Sequence, residues 1–159
     1  MGIEPDVQEQ VAVRRLSIAR ITAWLARQAE LALTEIDLSL PQYRVLGLLG
    51  EGIALPSSLA DDLDVRRPSI TAVVDGLVAR GLVIREPDAG DRRKVTHSIT
   101  DEGRRVLGTA DASVEERLIS IAAVLDDPDL VAGALEGLAR WGPALIERRN
   151  SKRRQPVTS

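Results

Sequence analysis

The sequence predicts a mainly α-helical protein with one small β-hairpin set between helices. Three observations predict it. Apolar residues recur at three- and four-residue spacing over Asp6–Ile36 and again from Thr100 to Leu125. A helical segment that ends at Arg80–Gly81 runs straight into Leu82–Val83–Ile84–Arg85–Glu86, which reads as a strand. Lys94–Val95–Thr96–His97–Ser98–Ile99 reads as a second strand, and the seven residues between the two contain Pro, Gly and Asp, the makings of a long hairpin tip.

Taken in order, the first helix carries Val7, Val11, Ile18, Ile21, Leu25 and Ala29 on one stripe, broken at Arg14. Asp37–Leu38–Ser39–Leu40–Pro41 ends it, and Pro41 suits the first turn of a second helix with Ser39 or Leu40 near its cap. That helix stops at Gly50 and Gly52. A short third helix is expected over Pro56–Leu63, with a tight turn at Asp64–Val65–Arg66. A fourth runs from about Arg67 to Arg80, with Ile70, Val73, Val74 and Leu77 inward and Gly81 as a left-handed cap. After the hairpin, Thr100 caps a fifth helix whose first turn holds Asp101 and Glu102, where the helix dipole favours acids. Leu107, Val114, Ile121, Leu118 and Leu125 recur along it at heptad spacing, interrupted by Asp111, a seam suited to a partner helix. Asp127–Pro128 starts a sixth helix, kinked at Gly142–Pro143.

Composition narrows the function. The chain has 159 residues, enough for one domain or one domain with a helical module, and its 44% apolar content suits a globular protein. No apolar run approaches the roughly 18 residues of a membrane span. The start, MGIEPDVQEQ, lacks the basic and apolar parts of a signal peptide, so a cytoplasmic location is expected. With no cysteine and one histidine, thiol redox sensing, thiolate metal sites and zinc sensing are all disfavoured. No constellation of nucleophile, base and metal suggests an enzyme, and no cofactor is implied. The net charge of −3 means that any basic surface is local. Three aromatics, Trp24, Tyr43 and Trp141, are too few for a base-stacking platform.

Helix, helix, tight turn, helix and hairpin is the order of a winged helix-turn-helix. The long flanking helices would bury their apolar faces against each other and a second copy. This divides the chain into a helical dimerisation region over 6–36 and 101–148, a winged helix-turn-helix over 38–100, and a basic tail over 149–159 expected to be irregular.

LSLPQYRVLGLL (38–49) and LADDLDVRRPSITAVVDGLVARGLVIREPDAGDRRKVTHSITDEGRRVL (59–107), with the helices around them, resemble the MarR family of bacterial transcriptional regulators. The most specific part is the ordered run of Arg80–Gly81–Leu82–Val83, Asp91–Arg92–Arg93 and Thr100 with Gly103. The resemblance implies a homodimeric repressor on pseudo-palindromic double-stranded DNA, with the fourth helix in the major groove and the wing in the minor groove. It also implies release by a small effector, such as a phenol or aromatic acid. By resemblance Arg93 enters the minor groove, Asp91 orients it through a charge-assisted hydrogen bond, and Arg92 meets phosphate. Arg66, Arg67, Pro68, Ser69, Thr71 and Ala72 lie at the DNA-reading end of the fourth helix, where an arginine can pair bidentately with guanine.

The chain departs from the family where Arg66 replaces a capping Ser or Asn, and where Ala72 and Gly76 replace polar or basic contacts. Each of Arg66 and Gly76 costs about 1 kcal/mol of helix stability. Arg20, Trp24 and Gln28 form a separate stripe on the first helix. With Tyr43 they are the candidate ligand pocket, an arginine for a carboxylate and an indole for a ring. A core or dimer-interface role for Trp24 is the competing reading, Trp141 reads as interface, and His97 reads as a wing-strand residue. The alternative function is a winged-helix protein–protein interaction module that binds no operator, separated from the first by a salt-dependent affinity for duplex DNA.

Overall fold

The computed structural model describes residues 7–53, 67–88, 90 and 95–154. The expected helix over 56–63, the turn at 64–66 and the wing tip at 91–94 lie outside the described residues. Among the described residues no helix is long and apolar enough to cross a membrane.

Helix α1 spans Val7–Glu35, about 43 Å of helix. It ends where Asp37 takes a left-handed conformation (φ 55°) and the Leu38 amide donates to the Leu33 carbonyl at 3.0 Å. Ser39 then caps α2 (Leu40–Gly50) in a reciprocal box. Its hydroxyl accepts from the Gln42 amide while the Gln42 side chain accepts from the Ser39 amide. Pro41 sits in the first turn as expected. Helix α2 buries Val45, Leu46, Leu48 and Leu49. Helix α3 (Arg67–Ala79) buries Ile70, Val74 and Leu77 and closes at Gly81, whose φ of 69° allows the Leu82 amide to reach the Leu77 carbonyl at 3.0 Å.

Strands β1 (Val83–Pro87) and β2 (Val95–Ile99) pair antiparallel, with Val83 opposite Ile99 and Pro87 opposite Val95. Strand β1 begins one residue later than the sequence suggests, and Lys94, the expected first residue of the second strand, lies outside the described residues. Thr100 follows at once as the cap of α4 (Asp101–Ala122). Its hydroxyl accepts from the Gly103 amide at 3.0 Å and donates to the Gly81 carbonyl at 2.8 Å, while its own amide donates to the Leu82 carbonyl at 3.1 Å. Gly103 is required here, because a Cβ on it would lie 2.2 Å from the Leu82 carbonyl oxygen. The Thr100–Gly103 pair of the sequence is therefore the joint between hairpin and long helix.

Two expectations for the C-terminal part are corrected. The kinked sixth helix is instead two helices, α5 (Pro128–Ala139) and α6 (Trp141–Arg154). Pro143 lacks the N–H that would bond the Ala139 carbonyl and its ring crowds that carbonyl, so one helix ends and Pro143 falls in the first turn of the next. The tail expected to be irregular from Arg149 is helical as far as Arg154, held partly by Arg149 and Asn150, both half-buried.

The core is one cluster joining α1 (Leu33), α2, α3, the hairpin (Val83, Ile99) and α4 (Ala110). Away from it the long helices leave apolar side chains uncovered. Trp24 is 74%, Val124 82% and Trp141 62% exposed, with Ile18, Ile21, Leu125 and Leu145 also open.

Candidate nucleic-acid interface

Helix α3 owes its placement to both faces. Inward, Ile70, Val74 and Leu77 lock it to the core. Outward, Thr71 and Ala72 are exposed one turn into the helix. Arg67, Pro68 and Ser69 form its first turn, their side chains undescribed, and Arg66 lies outside the described residues.

Polar ties fix α3 against its neighbours. Near its C-terminus, Arg80 donates to the Asp37 carbonyl at 2.6 Å and sits 3.9 Å from the Asp37 carboxylate, which joins α3 to the α1–α2 turn. On the hairpin side, Asp75 pairs with Arg85 of β1. The Arg85 Nε–H points to Nε2 of His97 on β2 at 3.4 Å. His97 is 5% exposed, so the wing-strand reading of this residue holds. Helix α3 and both strands are thereby one polar-linked block. On the strands' outer face, Glu86 accepts from Ser98 at 2.8 Å through its carboxylate and from Thr96 at 3.2 Å through its carbonyl. Asp88 accepts from the Gly90 amide at 2.9 Å at the entry to the tip, a local turn of the kind Asp favours. Asp91, Arg92 and Arg93 lie outside the described residues.

The Asp75–Arg85–His97 chain is not legible in the sequence. Its members sit on three elements at spacings that no periodicity links, and only the helix-to-hairpin geometry brings them together.

The four pocket candidates do not come together within one chain. Arg20 and Trp24 stand exposed on α1. Gln28 accepts from Arg117 Nε of α4 at 3.2 Å, and Arg117 also donates to Glu35 at 3.3 Å, so Gln28 serves the α1–α4 contact. Of the four, Tyr43 lines a described cleft. It belongs to a groove of about 550 Å³ between α2 and α4, with Arg44 and Arg104 beside it and Leu107 on its floor. The Tyr43 hydroxyl donates to Asp111 at 2.6 Å. Burial, and then that hydrogen bond, push the phenol well above its usual range, so it stays protonated and donating. Asp111, the polar break in the heptad seam, is thus the partner of Tyr43. Sequence reasoning does not find Arg104 and Arg44 as pocket residues. The only sequence signal for the cleft is glycine: an added Cβ at Gly47 of α2 or Gly108 of α4 would meet nothing within 4 Å.

Among the described residues no cluster of His, Cys, Asp and Glu could hold a metal ion. The fold with this hairpin defines a winged helix-turn-helix protein. The solved structure of a mutant MarR from E. coli superposes with a TM-score of 0.70 at 26% identity, over 88% of this chain and 97% of that one. Residues 36–94 match the family model described as MarR family. The transcriptional regulator FarR of Neisseria gonorrhoeae is 32% identical over 94 residues, which are 58% of this chain and 64% of FarR. The homoprotocatechuate degradative operon repressor of Escherichia coli is 33% identical over 91 residues, 55% of this chain and 60% of that protein. The matches thus span less than two thirds of either curated relative. Over residues 36–94 the chain is thus similar to the MarR family, and the two relatives matched are named as a transcriptional regulator and an operon repressor.

Proposed function

We propose that this protein is a homodimeric regulator of transcription that binds a pseudo-palindromic operator and represses from it. The observation that carries the reading is the block formed by α3, Asp75, Arg85 and His97. It fixes an exposed helix face and a two-stranded wing at one angle, as simultaneous reading of a major and a neighbouring minor groove requires. In that reading the first turn of α3 meets base edges and phosphates, and Asp91–Arg92–Arg93 serve the wing. Residues 38–100 are the DNA-binding part, and the helices on either side dimerise. The exposed apolar residues of α1 and the C-terminal helices support a second copy, since a soluble monomer rarely leaves so much apolar surface open. The names of the curated relatives support regulation, and one of them is named a repressor.

The effector site of this reading is the α2–α4 cleft at Tyr43. Arg44 and Arg104 suit a carboxylate and Leu107 suits an apolar ring. The deciding experiment is fluorescence anisotropy with a duplex from the DNA flanking the gene, over a salt series, with and without salicylate. Tight binding that falls steeply with salt supports the regulator. Affinity no greater than for random duplex overturns it in favour of the interaction module.

A further inference from the structure

The return path of the C-terminal helices has a consequence for charge. Helix α4 leaves the base of the hairpin and runs for 22 residues, about 33 Å. Helices α5 and α6, of 12 and 14 residues, follow it with about 39 Å of helix. One specific contact joins their end to the winged part. Arg149 of α6 donates to Glu51, just past the end of α2, at 2.5 Å. The Arg149 side chain is 22% exposed, and among the described residues its buried Nε finds no hydrogen-bond partner. Helix α6 thus touches the winged region at Glu51.

The last turns of α6 are the most basic stretch of the chain. Arg148, Arg149, Lys152, Arg153 and Arg154 place five positive charges in seven residues, in a chain of net charge −3, so the other 152 residues carry −8. The winged region adds no net positive charge of its own. Residues 38–100 contain eight basic and eight acidic side chains, a net charge of zero. A helix C-terminus favours one or two cations through its dipole. Five like charges within two turns exceed that and repel one another, unless an anion is shared among them. Beside the pinned Arg149, Arg148 is exposed. Pinning Arg149 to Glu51 therefore leaves Arg148 outside the pin.

We propose that the basic end of α6 is a second, sequence-independent contact to DNA phosphates, carried to the duplex on the winged domain. The proposal rests on the DNA-binding reading above and adds an element outside the winged helix to it. Counterion release counts the phosphates neutralised, so each one met by this helix end adds to those met by the winged region.

The test compares the full chain with two variants: a chain ending at Ser151, and a full-length protein with Lys152→Gln, Arg153→Gln and Arg154→Gln. Affinity is measured over a salt series for the gene-flanking duplex and for a random duplex of equal length, with dimer state followed by sedimentation. Both variants should show a shallower plot of log affinity against log salt, by about 0.9 for each phosphate that is no longer neutralised. Affinity for both duplexes should fall by the same factor, leaving their ratio intact. An unchanged slope in the triple-glutamine variant overturns the proposal, as does a loss confined to the flanking duplex. A shortened chain that loses dimer or melting temperature, while the glutamine variant keeps its slope, assigns the segment a structural role only and also overturns it. Failure of the intact chain to bind any duplex removes the regulator reading too. Intact binding with an unchanged slope removes only this contact.

Discussion

Gly103→Ala and Gly108→Ala make the same chemical change on the same helix and should have opposite effects. In an open helix, alanine for glycine stabilises by roughly 0.5–1 kcal/mol. Gly108 is such a site, with nothing within 4 Å of the added methyl. At Gly103 the methyl falls 2.2 Å from the Leu82 carbonyl oxygen and 2.8 Å from Ile99 Cγ1. A carbon–oxygen contact settles near 3.3 Å or beyond, so the first turn of α4 must retreat by about 1 Å. That retreat breaks the hydrogen bond from the Thr100 amide to Leu82 and the one from the Gly103 amide to Thr100, each worth about 1 kcal/mol. Overpacking adds about 1–3 kcal/mol. After the helix gain is subtracted, the net loss is about 2–4 kcal/mol, and the gap between the variants is about 3–5 kcal/mol. For a chain of this size that is roughly 6–20 °C in melting temperature. Thermal unfolding followed by circular dichroism at one protein concentration measures it; the concentration must be fixed because dimerisation shifts apparent stability. A Gly103→Ala protein that melts at or above Gly108→Ala would refute the joint described between hairpin and α4.

Arg85→Met removes the ties to Asp75 and His97; because the pair is about half exposed it should cost less than about 1 kcal/mol of stability. DNA affinity should nevertheless fall about tenfold, and a large drop in melting temperature with unchanged affinity would contradict the positioning role. For Tyr43 the folded-state pKa is raised, so its contribution is fully present below the phenol's unfolded value near 10 and is lost as pH rises past it. Wild type should therefore lose melting temperature above pH 10 more steeply than Tyr43→Phe, and parallel profiles would remove the Tyr43–Asp111 bond from the account. Val124→Asp, at a residue 82% exposed in the single chain, should weaken self-association at least about tenfold in sedimentation, whereas an unchanged dimer would place the interface elsewhere.

What the sequence reveals depends on the range of the interaction. Caps and stops are readable because their residues act within four positions: Ser39 with Gln42, Gly81 after Arg80, Thr100 before Gly103. Pro143 suggests a kink, and the structure makes it a helix start, because sequence alone does not show that the preceding turn is free to open. The tail has the charge of a solvated, irregular segment, yet it is helical as far as Arg154. Its Arg149 pairs with Glu51, which lies 98 positions away. The pocket escapes for the same reason. Arg20, Trp24 and Gln28 share a stripe, but sharing a stripe does not put them opposite Tyr43, and the actual neighbours, Arg44 and Arg104, come from α2 and the start of α4.

The distribution of ties decides which part of the molecule can respond to an effector. Helix α3, the hairpin and the α1–α2 turn are joined to one another by Arg80 and Arg85. To the long helices the same elements are tied by the shared core, the Thr100–Gly103 joint and the bond from Tyr43 to Asp111. The cleft lies between the two, with Arg44 on α2 and Arg104 on α4, and Glu51 and Asp111 also line it. An anion gripped by both arginines would favour one angle between block and helix. In a homodimer, any other angle than the DNA-bound one displaces two recognition helices from grooves about 34 Å apart. A hundredfold release needs the anion to prefer the displaced form by about 2.7 kcal/mol, within the range of two charge-assisted contacts. Arg104→Gln should therefore leave DNA affinity without effector near that of wild type, while cutting the loss of affinity caused by salicylate at least about tenfold. Salicylate release that persists undiminished in Arg104→Gln would show that the effector acts from another site.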